Sequence, residues 1–196
     1  MYIDTSKLPI ETKTIFDILR NGNFIVDNHP NTASKRLFDI CENHFETFTS
    51  YFEPLGYTLE RGSGYYLFYT DGILETAKEH RITQILFLLD LIDLMLGAFP
   101  NFGVGWRGSP SDLEMALKND TLRRERLEKM RGIKGKTLLE RCNSVFNSFD
   151  KFGCMEAMED KYSNYLMLSS YNYVVDFFDA VKRINSEIDN FDEDEL

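Results

Sequence analysis

Three stretches of the sequence carry residues whose types and spacing match known chemistry. Gly103-Val104-Gly105-Trp106-Arg107-Gly108 fits the GxGxxG pattern, in which glycines let backbone N–H groups approach a pyrophosphate where a strand turns into a helix. Here an apolar helical run and Pro100 come before it and Ser109-Pro110 after it, so the context for a dinucleotide is missing. Met130 to Thr137, MRGIKGKT, ends like a phosphate-binding P-loop, but Met130 stands where the first glycine belongs and a charged helical segment replaces the buried strand. Leu86-Phe87-Leu88-Leu89-Asp90 resembles a magnesium-holding aspartate behind an apolar strand, yet it precedes the GKT and its apolar run continues. Asp90 and Asp93 form a possible carboxylate pair; with no ExxH or second pair beside them, a polar helix face is the expected role. No GxSxG elbow occurs, and Gly62-Ser63-Gly64 reads as a hairpin tip. His29, His44 and His80 lie far apart, and Cys41, Cys142 and Cys154 show no CxxC spacing. No catalytic residue, no cofactor and no metal is predicted.

The elements that position these residues are organised around Ile82 to Phe99, ITQILFLLDLIDLMLGAF, the longest apolar run. Thr83, Asp90, Asp93 and Gly97 recur at helical spacing and leave one thin polar stripe. Two aspartates would cost about 2.5–3.5 kcal/mol each in lipid, so a buried central helix covered by chain on both sides is predicted, not a membrane span.

Before it, Lys13 to Arg20 reads as a short helix stopped by Asn21-Gly22, and Phe24 to Val26 as a brief strand ending at the Asp27–Pro30 turn. A helical region capped by Asn31 or Thr32 runs from Lys35 to Phe52 with a break near Glu42. Tyr57–Glu60 and Tyr65–Tyr69 then form a hairpin around Arg61–Gly64. After the central helix comes a glycine-rich loop, Pro100 to Pro110. Helices follow at Leu113–Lys118 (capped by Ser111-Asp112), from Asp120-Thr121 through Met130, and over Thr137–Phe149. A hairpin of Cys154–Met158 and Asn164–Leu168 turns at Glu159–Ser163, and Ser169-Ser170 caps a last helix, Tyr171 to Ile184. Helix, strand, helix, hairpin is the order of a winged-helix module, and the second half repeats helix, helix, hairpin. The predicted fold is α+β, mainly α: tandem winged-helix domains sharing the central helix, at 1–74 and 75–185, then an acidic tail at 186–196.

The 196 residues carry a net charge of −10, unevenly spread. The stretch SEIDNFDEDEL holds acids and no base, and is expected to be solvated and mobile. Arg123, Arg124, Arg126, Lys129, Arg131, Lys134 and Lys136 form a basic island whose only acids are Glu125 and Glu128. Two readings stand side by side: a DNA contact at the start of the recognition-position helix, or a solvated helix with pairs such as Arg124 and Glu128. The first predicts affinity falling by about two to three decades between roughly 50 and 200 mM salt, and the acidic whole predicts weak DNA binding without partners. Tyr162, Tyr165, Tyr171, Tyr173, Phe177 and Phe178 are too many aromatics for one small hairpin and helix to hide, so a partner surface is expected there. The start MYIDTSKLPIETK lacks the apolar stretch of a secretory signal, and a cytoplasmic protein is expected.

Several segments resemble one family. LRNGNFIV, the helix and hairpin ending FTSYFEPLGYTLERGSGYYLFY, the central apolar helix, LLERCNSVFNSFDKFGCMEAME and YLMLSSYNYVVDFF are similar to the MukE and MksE subunits of bacterial condensins over residues 14–185. The resemblance implies a non-catalytic kite subunit that forms a homodimer, clasps a kleisin and assists an SMC ATPase on DNA. The setting is chromosome organisation at the nucleoid, or plasmid defence as in the related Wadjet system. The glycine loop Phe102–Gly108 has no counterpart in that pattern. The alternative is a stand-alone winged-helix transcription regulator.

Overall fold

Capping and turn residues set the element boundaries in the computed structural model, which describes residues 8–70, 75–159 and 164–193, without the side chains of 75–78 and 184–193. The first half runs α1 (Thr12–Arg20), β1 (Ile25–Val26), α2 (Thr32–Asn43), α3 (Phe45–Phe52), β2 (Thr58–Gly62) and β3 (Tyr65–Tyr69). Asn31 starts α2 by accepting the N–H groups of Ala33 and Ser34, and the expected break falls at His44. Gly62 pairs with Tyr65, so the β2–β3 loop is only Ser63-Gly64. The strands form an antiparallel sheet in the order β1-β3-β2.

The second half runs α4 (Glu75–Ala98), β4 (Arg107–Gly108), α5 (Pro110–Lys118), α6 (Thr121–Lys129), α7 (Leu138–Phe152), β5 (Met155–Ala157), β6 (Tyr165–Met167) and α8 (Tyr171–Glu193). Its antiparallel sheet has the order β4-β6-β5. The expected glycine loop thus contains a strand, with Arg107 opposite Leu166 and Gly108 opposite Tyr165. The N-cap of α5 is Ser109 and not Ser111-Asp112: Ser109 N–H donates to Asp112 at 2.8 Å in a capping box, and Pro110, whose ring presets a helical φ, takes the first helical position. Helix α8 passes the expected stop at Ile184 and takes in the acidic run as far as Glu193. The turn at 160–163 lies outside the described residues.

Packing separates the halves. Ile15, Leu19, Leu37, Cys41, Phe48, Phe52, Leu59 and Tyr66 bury one another in the first. In the second, Ile85, Leu88, Leu91, Ile92, Leu94 and Met95 of α4 pack on Leu113, Leu117, Leu127, Val145, Phe146 and Phe149. From the first half Phe24 reaches this second core. The side of α4 bearing Ile82, Leu86, Asp93 and Leu96 stays exposed, so the run is less completely covered than its composition suggests.

A small third cluster joins the two sheets: Val26 and Tyr65 meet Leu166 and Leu168. Beside it the Asn28 side chain donates to the Met167 carbonyl at 3.0 Å and accepts the Ser169 N–H at 2.9 Å. Asn172 donates to the Ser63 carbonyl at 2.7 Å. Gly64 lies in this seam at φ +81, where a Cβ would come within 2.9 Å of the Ser169 side chain, so both backbone and space demand glycine. The Ser169 and Ser170 hydroxyls, expected as caps of α8, instead donate to the Asp27 carboxylate and the Gly153 carbonyl. The Arg81 guanidinium closes the seam from α4, 4.1 Å from the Phe152 ring centre, 5.3 Å from Tyr173 and 5.5 Å from Phe24.

Candidate functional site

Several of the backbone donors that a phosphate cradle would need are already engaged. Gly105 N–H donates to the Met167 carbonyl at 2.9 Å, and Met167 N–H donates to the Trp106 carbonyl at 2.9 Å, tying the GxGxxG stretch into the sheet. Gly108 leaves room for the Trp106 indole, which packs between Phe99 and Phe102 at 5.0 and 5.2 Å. In the GKT loop, Lys136 N–H and Thr137 N–H donate to the Glu140 carboxylate at 2.6 and 3.3 Å, while Glu140 N–H donates to Thr137 Oγ1 at 3.2 Å. The first two of these bonds hold the Glu140 carboxyl below its usual range. The chain's own carboxylate fills the place a phosphate would need.

Helix α6 runs beside α4 and divides the basic island. Arg126 is bonded to Asp93 and lies 3.7 Å from Asp90, so the carboxylate pair serves as a cation's counter-charge. Arg123 pairs with Asp120, whose carboxyl is lowered first by the Arg123 backbone bond and then by its side chain. The Arg123 side chain also lies against Gly97, where a Cβ would collide with its guanidinium. Lys129 reaches Glu125 at 3.7 Å. These pairs are largely exposed, so solvent screens them and they add little to stability. Among the described residues Arg124, Arg131, Lys134 and Lys136 make no ion pair, including the anticipated one between Arg124 and Glu128. Four cations therefore run from α6 into the loop before α7. Along α7 the exposed Glu140, Asn143, Asn147 and Asp150 add no positive charge to them, and the exposed Lys151 lies at the helix's other end.

The aromatic candidates separate as well. The Tyr165 ring packs on Phe146 at 5.1 Å and Tyr171 on Phe102 at 6.0 Å, with burial raising both hydroxyl pKa values. Tyr173 sits in the seam against Phe24 at 5.4 Å, and Phe177 packs on the second core. Phe178 alone of the described candidates is exposed, at 38%, with Lys182 Nζ 4.2 Å from its ring centre. Tyr162 lies outside the described residues. Val181 on α8 and Ile82 and Leu86 on α4 are also exposed apolar residues, on two helices that pack together. Periodicity did not single these out, nor did it find Asp27, Asn28 and Arg81, because a short polar turn and one arginine carry no local signal of a distant partner.

Burial pushes the Cys41, Cys142 and Cys154 thiols up to about 12, far from a nucleophile's range. Among the described residues no helix is long and apolar enough to cross a membrane, and no three His, Cys, Asp or Glu side chains are placed to hold a metal ion.

A mainly helical α+β protein with two small antiparallel sheets, its motif-like loops closed by its own side chains and its free charge in surface patches, has the character of an assembly component. The model of the condensin complex protein MksE family matches residues 11–178, and the chain belongs to that family. It is a condensin-associated accessory subunit, partnered within an SMC complex. No curated protein matches it closely enough to add a relative.

Proposed function

We propose that the protein is a non-catalytic kite subunit built from two winged-helix domains, which pairs with a second copy, holds a kleisin segment and lends cations to DNA beside the SMC ATPase. It acts in the cytoplasm at the nucleoid, in chromosome organisation or in plasmid defence. The observation that carries this reading is the repeat: in each half helices precede a hairpin, and the short first strand adds to the hairpin's second strand, β1-β3-β2 and β4-β6-β5. This order supports the winged-helix assignment, and the family membership supports the setting. Arg124, Arg131, Lys134 and Lys136 are the DNA contacts of choice, because the other three island cations have carboxylate partners.

Purification of the tagged protein from its host at about 100 mM salt, where phosphate contacts persist, tests the reading. A large coiled-coil ATPase and a kleisin are expected among the co-eluting chains. A lone dimer that selects one DNA sequence would overturn it in favour of a free-standing regulator.

A further inference from the structure

The seam leaves a cleft of about 400 Å³ between the two halves, with His29, Asn31 and Ser34 on one wall and Glu156, Ala157 and Glu159 on the other. The second wall is the outer strand of its sheet. Leu168 N–H bonds to the Cys154 carbonyl at 2.7 Å and Met158 N–H to the Asn164 carbonyl at 2.8 Å, with Glu156 opposite Leu166 between them. Antiparallel pairing alternates, so the N–H and C=O of Ala157 point away from β6. Ala157 is exposed, and its methyl side chain leaves the approach open.

Charge decides what fits. The His29 Nδ1 accepts the Asn31 N–H at 3.0 Å, and its Nε2 stands 3.9 Å from Glu156, beyond hydrogen-bond reach. Glu159 makes no ion pair among the described residues. The two carboxylates make the cleft electronegative, which repels a nucleic-acid backbone and attracts a cationic chain. We propose that this cleft takes an extended, basic polypeptide segment, which adds as a strand beside Ala157 and sets lysine or arginine side chains against Glu156 and Glu159. A segment so placed touches both halves and fixes their relative position.

The proposal relies on the accessory-subunit reading only for the origin of such a segment. A synthetic peptide tests the cleft itself, whatever co-purifies with the protein. The probe is a fluorescein-labelled peptide alternating lysine and valine, titrated with the full chain and followed by anisotropy. Binding is expected. It should weaken by about tenfold or more in the double variant Glu156→Lys/Glu159→Lys. Ala157→Pro, which removes the edge N–H without changing charge and suits an edge strand, should weaken it as well. The same peptide N-methylated on its backbone should not bind, nor should its glutamate counterpart. Absence of binding by the basic peptide, equal binding of the N-methylated form, or indifference to the double charge reversal would each overturn the proposal.

Discussion

Replacing Asn28 by alanine should separate the protein into two units that unfold independently. Asn28 bridges the seam with one side chain, donating to the carbonyl of Met167 and accepting from the N–H of Ser169. Both residues are buried, with Met167 at 0% and Ser169 at 3% exposure. Removing the amide leaves the Ser169 N–H without a partner where water cannot easily reach, while the Met167 carbonyl keeps the Gly105 N–H at 2.9 Å. Such an orphan costs about 1–3 kcal/mol, so the loss comes to roughly 2 kcal/mol. That corresponds to a fall of about 4–8 °C in Tm for a chain of this size. The single tryptophan makes the test decisive. Trp106 lies against Phe99, Phe102 and Phe146 in the second half, so its fluorescence reports that half alone, while far-UV circular dichroism reports the whole. In urea the two signals should coincide for the natural protein and split in Asn28→Ala, the first half melting earlier. Coincident transitions with an unchanged midpoint would refute the argument that this amide couples the halves.

Arg81→Ala should destabilise the same seam by about 1–3 kcal/mol through loss of three ring contacts, and Arg81→Lys should restore some of it in the same urea experiment. Native thiols should resist an aromatic disulfide reagent at pH 8 and react together only on unfolding, because burial holds all three near 12. Those raised values also set a pH trend: unfolded thiols ionise near 9 while folded ones keep their protons, so stability declines above about pH 9. Urea midpoints between pH 7 and pH 10 check this, and a midpoint that rises would contradict it. Lys134→Glu with Lys136→Glu should lower DNA affinity and reduce the salt slope by about one per lost phosphate contact, measured by anisotropy on the assembled complex. Arg126→Glu should chiefly loosen the α4–α6 contact, seen as a lower Tm, because its cation faces Asp90 and Asp93.

Local signals were legible wherever a residue acts on its near neighbours. Asn31, Asp120 and Thr137 start helices through bonds within a few positions, and each stands where the sequence put a helix start, whereas α7 runs three residues past its expected end at Phe149 to the Gly153 cap. The Ser109 cap was misplaced by two residues because Ser111-Asp112 offers the same chemistry, and only Pro110's preference for the first turn separates them. Strand β4 was not legible at all. Two residues cannot display a period, and the surrounding glycines masked a pairing whose partners, Tyr165 and Leu166, lie far along the chain. The aromatic excess near the C-terminus was real, but composition could not tell that Tyr165, Tyr171 and Tyr173 would be half-covered by Phe146, Phe102 and Phe24 from distant elements.

The basic island shows the same limit in charge. Counting signs along the chain treats its seven cations as equals, yet α6 presses one side on α4, where the central helix carries Asp90 and Asp93 in its polar stripe. The stripe that looked like a carboxylate pair meets the island that looked like a phosphate grip across one helix–helix contact, and Arg126 is consumed by it. What remains free is set by geometry: Arg124 on α6, and Arg131, Lys134 and Lys136 where the backbone leaves the helix and Glu140 has already taken the N–H groups of Lys136 and Thr137. An anion at the start of α7 must therefore be held by side chains and not by these two N–H groups. Such a grip is sequence-blind and sensitive to salt, which is what the proposed role on DNA beside another protein's motor would require.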